Sequence, residues 1–153
     1  MADLSLGDTQ LLITTCKVQG LLRNQAAYVL AACYWESART MRPVMEAFWL
    51  SEGWRERNLR YYPWYGRGHI QTTWESNYVR AKDEIGVDFV ANPELALEPE
   101  HSVVIAVRGC KEGWFTGARL DEFITLQKSD FQGARVIVNG TDRAATIAAL
   151  AED

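Results

Sequence analysis

Two glutamates, Glu36 and Glu46, stand ten residues apart, one closing the stretch Cys33-Tyr34-Trp35-Glu36 and the other just beyond Pro43. Carboxylates that face each other across a cleft suit hydrolysis of a glycosidic bond. One protonates the leaving oxygen while the other activates water or attacks the sugar carbon. Their surroundings must differ for that division of labour. On an apolar helix beside Tyr34 and Trp35, Glu36 is expected to have its charged form disfavoured by desolvation, which suits an acid. Glu46, in a more polar segment, is expected to stay ionised. The chain has 20 acidic residues, so spacing alone does not single out this pair.

A denser cluster follows at Tyr61-Tyr62-Pro63-Trp64-Tyr65-Gly66-Arg67-Gly68-His69-Ile70-Gln71-Thr72-Thr73-Trp74, then Asn77-Tyr78. Gly66 and Gly68 fit a tight turn that lets backbone approach a substrate, since neither phosphate-binding glycine pattern is complete. Arg67 between them can order a catalytic carboxylate or form a purely structural salt bridge. Trp64 and Trp74 are placed to line a groove, where flat rings stack on sugars and amides take the hydroxyls. Trp49, Trp54 and Trp114 are assigned to the core. His69 and His101 raise the rival of a zinc amidase, but no H-E-x-x-H spacing or third convergent ligand accompanies them, so neither metal nor cofactor is expected.

These groups need elements to carry them. A first helix is read from Asp8 to Cys16, and a longer one, capped by Asn24, runs from Gln25 to about Arg39 with Ala26, Val29, Leu30 and Cys33 on its buried stripe. Glu36 therefore falls near that helix's C-terminal end. Residues 40–71 lose the periodicity and read as loop or a short hairpin. Thr72-x-x-Glu75 fits a capping box for a helix to Ile85, stopped by Gly86, with Asn77 in its second turn. Glu98-Pro99 opens a buried helix that ends between Gly109 and Gly113. Short helices over 120–126 and 129–138, a turn at Asn139-Gly140 and a final helix capped by Thr141 or Asp142 complete the chain. The expected fold is mainly α, a lysozyme-like helical domain of two lobes flanking a groove, with at most a small β-hairpin.

With 153 residues, 48% of them hydrophobic, the chain is expected to form one catalytic domain over 1–153. A net charge of −4 argues against nucleic acid as a partner. The sequence lacks an apolar run long enough for a bilayer span and a secretory signal pattern, so no stable membrane insertion is expected. Cys16, Cys33 and Cys110 are odd in number and widely spaced, and are read as reduced core thiols.

The Tyr65-Gly66-Arg67-Gly68-x-Ile70-Gln71-x-Thr73 stretch followed by Asn77-Tyr78 resembles glycoside hydrolase family 19, the chitinases and their phage endolysin relatives. Trp35-Glu36-Ser37, Met41-x-Pro43-x-x-Glu46 and Val138-Asn139-Gly140-Thr141-Asp142-Arg143 agree in order, so the resemblance spans roughly residues 26–148. It implies that Glu36 is the general acid and Glu46 the base that activates water. Thr73 would help to hold that water, Gln71, Asn77 and Asn139 would bind sugar, and Tyr65 would be the aromatic at the groove. Inversion at the anomeric carbon is implied, with carboxyl groups about 6.5–9.5 Å apart. Trp35 stands where many members have histidine, Ala38-Arg39 where chitinases commonly have Gly-Gly, and Thr72 where leucine is usual. These departures point to the lysin branch.

The resulting expectation is an endolysin that cuts β-1,4 bonds in peptidoglycan glycan strands. It would act as a monomer, held in the bacterial cytoplasm until a holin-like partner lets it reach the wall. A chitinase and a non-catalytic sugar-binding module are the alternatives. An acidic protein sits awkwardly on an anionic wall, and a basic patch from Arg55, Arg57, Arg60 and Arg67 is the expected local remedy.

Overall fold

The structure is a computed structural model and describes residues 2–138 and 143–153. Six helices dominate the described residues: α1 Thr9–Val18, α2 Arg23–Glu36, α3 Glu52–Asn58, α4 Glu75–Ile85, α5 Pro99–Glu112 and α6 Ala144–Glu152. Single 3₁₀ turns occupy Pro93–Leu97, Leu120–Glu122 and Gly133–Ile137. Strands β1 (Val44–Met45) and β2 (Arg67–Gly68) pair antiparallel, with Val44 opposite Gly68 and Met45 opposite Arg67. The mainly α expectation with one small hairpin holds. No helix among the described residues is long and apolar enough to cross a membrane.

Helix α2 lies at the centre, packed along α6 and against α1 and α5. Its buried side brings Tyr28, Val29, Ala32 and Cys33 into a core with Leu12, Val107, Cys110 and Ile147. All three cysteines are buried and free, as read from their spacing. Pro99 opens α5 and Gly113 closes it at φ +76, so the β-branched run at Val103-Val104-Ile105 is helical.

The local readings fail at three starts. Asn24 does not cap α2, which begins at Arg23. Its amide instead donates to Thr125 O (2.8 Å) and Ser129 Oγ (2.9 Å), tying α2 to a distant turn. Thr72 does not cap α4. It is buried and exchanges backbone hydrogen bonds with Arg67, so the helix begins at Glu75 and Asn77 lies in its first turn. Helix α3 sits inside the stretch read as loop. Ser51 Oγ caps it by accepting the Trp54 N–H at 3.1 Å. The 3₁₀ turns replace the short helices read over 120–126 and 129–138, and the caps expected at Thr141 and Asp142 lie outside the described residues.

Candidate active site

Glu36 is the last residue of α2, where the chain turns sharply. Ala38 and Arg39 take φ of +55° and +66°, and Arg39 N–H reaches back to Tyr34 O at 2.8 Å. Buried Ser37 braces the turn from below, its Oγ accepting the Met41 N–H at 3.0 Å. The Glu36 carboxylate keeps 18% exposure and meets Arg135 Nη1 at 3.0 Å. Arg135 projects from the 3₁₀ turn Gly133–Ile137, whose flanks Ala134 and Ile137 are buried, while Thr116 Oγ1 donates to Val136 O at 2.7 Å. Sequence reasoning placed only apolar neighbours around Glu36. The structure adds a buried cation, which favours the charged form of Glu36 and so opposes the desolvation expected from its apolar neighbours.

Glu46 follows β1 and is held by Gly66, the residue before β2. Its N–H donates to Gly66 O (2.7 Å), and its Oε2 accepts the Gly66 N–H (2.9 Å). Its Oε1 accepts the Tyr61 hydroxyl at 2.5 Å. Burial, with the Glu46 contact second, pushes the Tyr61 phenol well above its usual range, so the proton stays on Tyr61 as donor. Glu52, one of two other acids in the following helix, instead meets Tyr65 and Arg55 and stays half exposed.

Thr73 Oγ1 donates its hydrogen to Gln71 O at 2.9 Å, which leaves its lone pairs free to accept. Asn77 Nδ2 donates to Thr73 O at 2.8 Å and braces that loop from α4. Gln71 sits at φ +59°, and its Nε2 donates to Val44 O (2.7 Å) and Gly68 O (3.0 Å). Both amide hydrogens are thus used to hold β1 to β2, so neither is left to donate to a sugar.

Of three further residues expected at the site, two are internal and one is half-buried. Tyr65 is only 3% exposed, with Arg67 3.8 Å and Arg55 5.2 Å from its ring centroid, so it presents no free face to a groove. Arg67 is 5% exposed and donates to Pro63 O (2.9 Å) and Tyr78 Oη (3.0 Å), meeting no catalytic carboxylate. Trp64 packs partly buried against the core, its Nε1 donating to Val90 O at 3.2 Å. Arg55 is also buried, so the basic patch proposed around it does not form. Asn139 lies outside the described residues.

Other aromatics take the exposed positions. Trp74 is half exposed beside Tyr61, with Arg60 over its ring at 5.2 Å. Trp49, assigned to the core, is instead 72% exposed and meets Phe48 edge-on at 5.2 Å. The turn bearing that pair is fixed from beneath by Arg55 Nη1, which donates to Ala47 O (2.8 Å) and Leu50 O (3.0 Å). Trp54 is half-buried and Trp114 buried. His69 is fully buried, and its two ring nitrogens meet Ser102 Oγ (2.6 Å) and Asp8 Oδ2 (2.9 Å). His101 pairs with Glu98 at 3.5 Å.

A family model described as class I chitinase matches residues 16–119. Chitinase 8 of Oryza sativa subsp. japonica is 54% identical over 33 residues, 22% of this chain and 13% of that protein. The solved structure of chitinase C from Streptomyces griseus HUT6037 superposes with a TM-score of 0.60 at 19% identity, covering 84% of this chain and 56% of that one. A chitinase C mutant structure covers 58% of this chain and 46% of that one at 23% identity, with a TM-score of 0.48. The chain spans about half the length of these solved chitinases.

Proposed function

The chain belongs to the class I chitinase family, glycoside hydrolase family 19, and on that footing we propose that it hydrolyses β-1,4-linked amino-sugar glycans by an inverting acid/base reaction without a metal. The observation that carries this reading is the contrast between its two carboxylates. Glu36 faces a buried guanidinium, while Glu46 is oriented by two neutral donors, Tyr61 and the Gly66 N–H.

In the proposed reaction Glu36 takes up a proton against the pull of Arg135 and gives it to the leaving glycosidic oxygen. The carboxylate left behind forms next to Arg135, so a fixed positive charge meets negative charge as it develops. Glu46 takes a proton from a water that attacks the anomeric carbon from the opposite face. Each Glu46 oxygen retains a lone pair beyond its protein donor. Thr73, whose own hydrogen is committed to Gln71, can accept the water's second hydrogen and aim its lone pair. Asn77 keeps its side-chain oxygen for substrate, and Trp74 offers an exposed ring.

The substrate we favour is the glycan strand of peptidoglycan, which makes the protein a wall-lytic enzyme. Trp35, Ala38-Arg39 and Thr72 depart from the plant chitinase pattern and support this choice. Access to the wall would then depend on a membrane-permeabilising partner. Chitin is the second reading, favoured by the chitinase relatives.

Turbidity loss of outer-membrane-permeabilised Gram-negative cells tests the proposal, with wild type, Glu36→Gln and Glu46→Gln, and with chelator added after permeabilisation. Chelator-resistant lysis lost in both variants is expected. Full lysis by Glu36→Gln would refute the mechanism, and cleavage of chitin oligomers faster than sacculi would replace the substrate.

A further inference from the structure

Two arginines converge on the ring next to the proposed acid. Arg39 Cζ lies 5.5 Å and Arg143 Cζ 5.6 Å from the centroid of Trp35. Both are exposed residues, and neither guanidinium meets a carboxylate or carbonyl among the described residues. Contact with a ring engages the cation as a charge and consumes none of its N–H donors. Two like charges held over one indole repel each other unless an anion lies between or beside them.

The backbone makes this placement harder to dismiss as solvated surface charge. Arg39 sits at φ +66° and Arg143 at φ +61°, in the left-handed region that glycine enters freely and other L-residues enter at a steric cost. Glycine would take both backbone positions with less strain. An arginine kept at such a position argues that its side chain is used. Arg60, over Trp74 at 5.2 Å, repeats the pairing of tryptophan and unneutralised arginine on the Glu46 side.

We propose that Arg39 and Arg143, held over Trp35, form a clamp for a carboxylate carried on the glycan beside the bond to be cut. The planar guanidinium forks match a carboxylate, and the indole holds them in place for it. The clamp deepens the functional reading above, on which it rests, by selecting an acid-substituted glycan over a neutral one. It also gives a chain of net charge −4 a local means of engaging an anionic polymer, because two cations stand together at the site.

Binding to a Glu36→Gln background keeps turnover out of the test. The probes are soluble peptidoglycan fragments with free carboxylates, the same fragments with those carboxylates amidated, and chitin oligomers, followed by tryptophan fluorescence. The acidic fragment should bind about tenfold or more tighter than its amide. That ratio should collapse towards one when Arg39→Gly and Arg143→Gln are added, and should fall with salt in the parent only. Arg39→Gly should not lower Tm, since glycine suits the backbone there. A ratio that survives loss of both arginines overturns the clamp, as does a Tm fall with the ratio unchanged, which would make Arg39 structural. Failure of wild type to cleave any of the three probes overturns the functional reading instead, and an arginine-dependent carboxylate preference would stand without it.

Discussion

Arg135 Nη1 lies 3.0 Å from Glu36 Oε1, joining a nearly buried cation to the carboxylate that ends α2. Removing one partner of such a pair leaves an uncompensated charge in a poorly solvated place. Arg135→Gln should therefore lose about 3 kcal/mol in urea denaturation, the lower end of the usual range because Glu36 keeps some exposure. Its kcat should fall at least about tenfold, since the carboxylate formed on proton transfer loses its cation. The double variant with Glu36→Gln should be less destabilised than the sum of the singles. Simple additivity would show that the two side chains are not coupled.

Tyr61→Phe removes one hydroxyl and keeps the ring that packs on Trp74 at 4.9 Å. The lost bond is to a carboxylate, so a stability change of about 1–2 kcal/mol is expected. Because that bond orients Glu46, the larger effect should be on kcat, about a tenfold fall with KM nearly unchanged. Equal changes in kcat and KM, or in KM alone, would mean that Tyr61 serves binding rather than the base.

The parts of the molecule legible in the sequence are those set by short-range rules. Pro99 and Gly113 bracket α5, Gly86 stops α4, and the apolar stripe through Val29 and Cys33 carries α2 to Glu36. Helix α3 was within reach of the same rules. Ser51 followed by Glu52 is a cap signal, obscured by Gly53 and the surrounding punctuation. The partners were not legible. Arg135 meets Glu36 only because the Gly133–Ile137 turn packs near α2, and no local pattern encodes that approach. The aromatic and arginine-rich cluster was legible as a cluster, but not which members turn inward. Tyr65 and Arg67 stack on each other inside, whereas Trp49 stays out because Arg55 fixes its turn from beneath.

Acid should unfold the protein through His69. Burial lowers its pKa, with the Asp8 contact pulling partly back, so the neutral ring is the folded form. A depressed folded value means that this contribution is fully present above the unfolded histidine pKa and is lost as pH falls through the folded one. The urea midpoint should drop below about pH 6.5. His69→Gln should show a shallower acid slope, and an unchanged slope would move the acid sensitivity to other groups.

Alkali should act through the core thiols. Burial raises Cys16 and Cys110 to about 12, and Cys33 well above its usual range. Values raised on folding give stability that is complete below the unfolded thiol pKa and fades as pH climbs towards the folded ones. The urea midpoint should thus decline from about pH 8.5 upward. A thiol reagent at pH 8 should label the chain only in urea. Rapid labelling of the folded protein would contradict the burial of these side chains.

Gly66 offers the sharpest test of how the hairpin holds Glu46. A Cβ at residue 66 would fall 2.6 Å from Gln71 Oε1 and 3.3 Å from Glu46 Oε2. The same residue gives Glu46 both a backbone acceptor and the N–H on its carboxylate. Gly66→Ala therefore has to displace the Gln71 amide, which clasps Val44 and Gly68, or the carboxylate itself. Neither side chain is fully buried, so the fold can yield locally, and the stability loss should stay near 1–2 kcal/mol. Catalysis is less forgiving, because displacement of a base by about 1 Å costs on the order of a hundredfold. A kcat fall of about that size with a small Tm change would tie turnover to the Gly66 contact. Full activity in Gly66→Ala would leave Glu46 without the anchoring on which its proposed part as base depends.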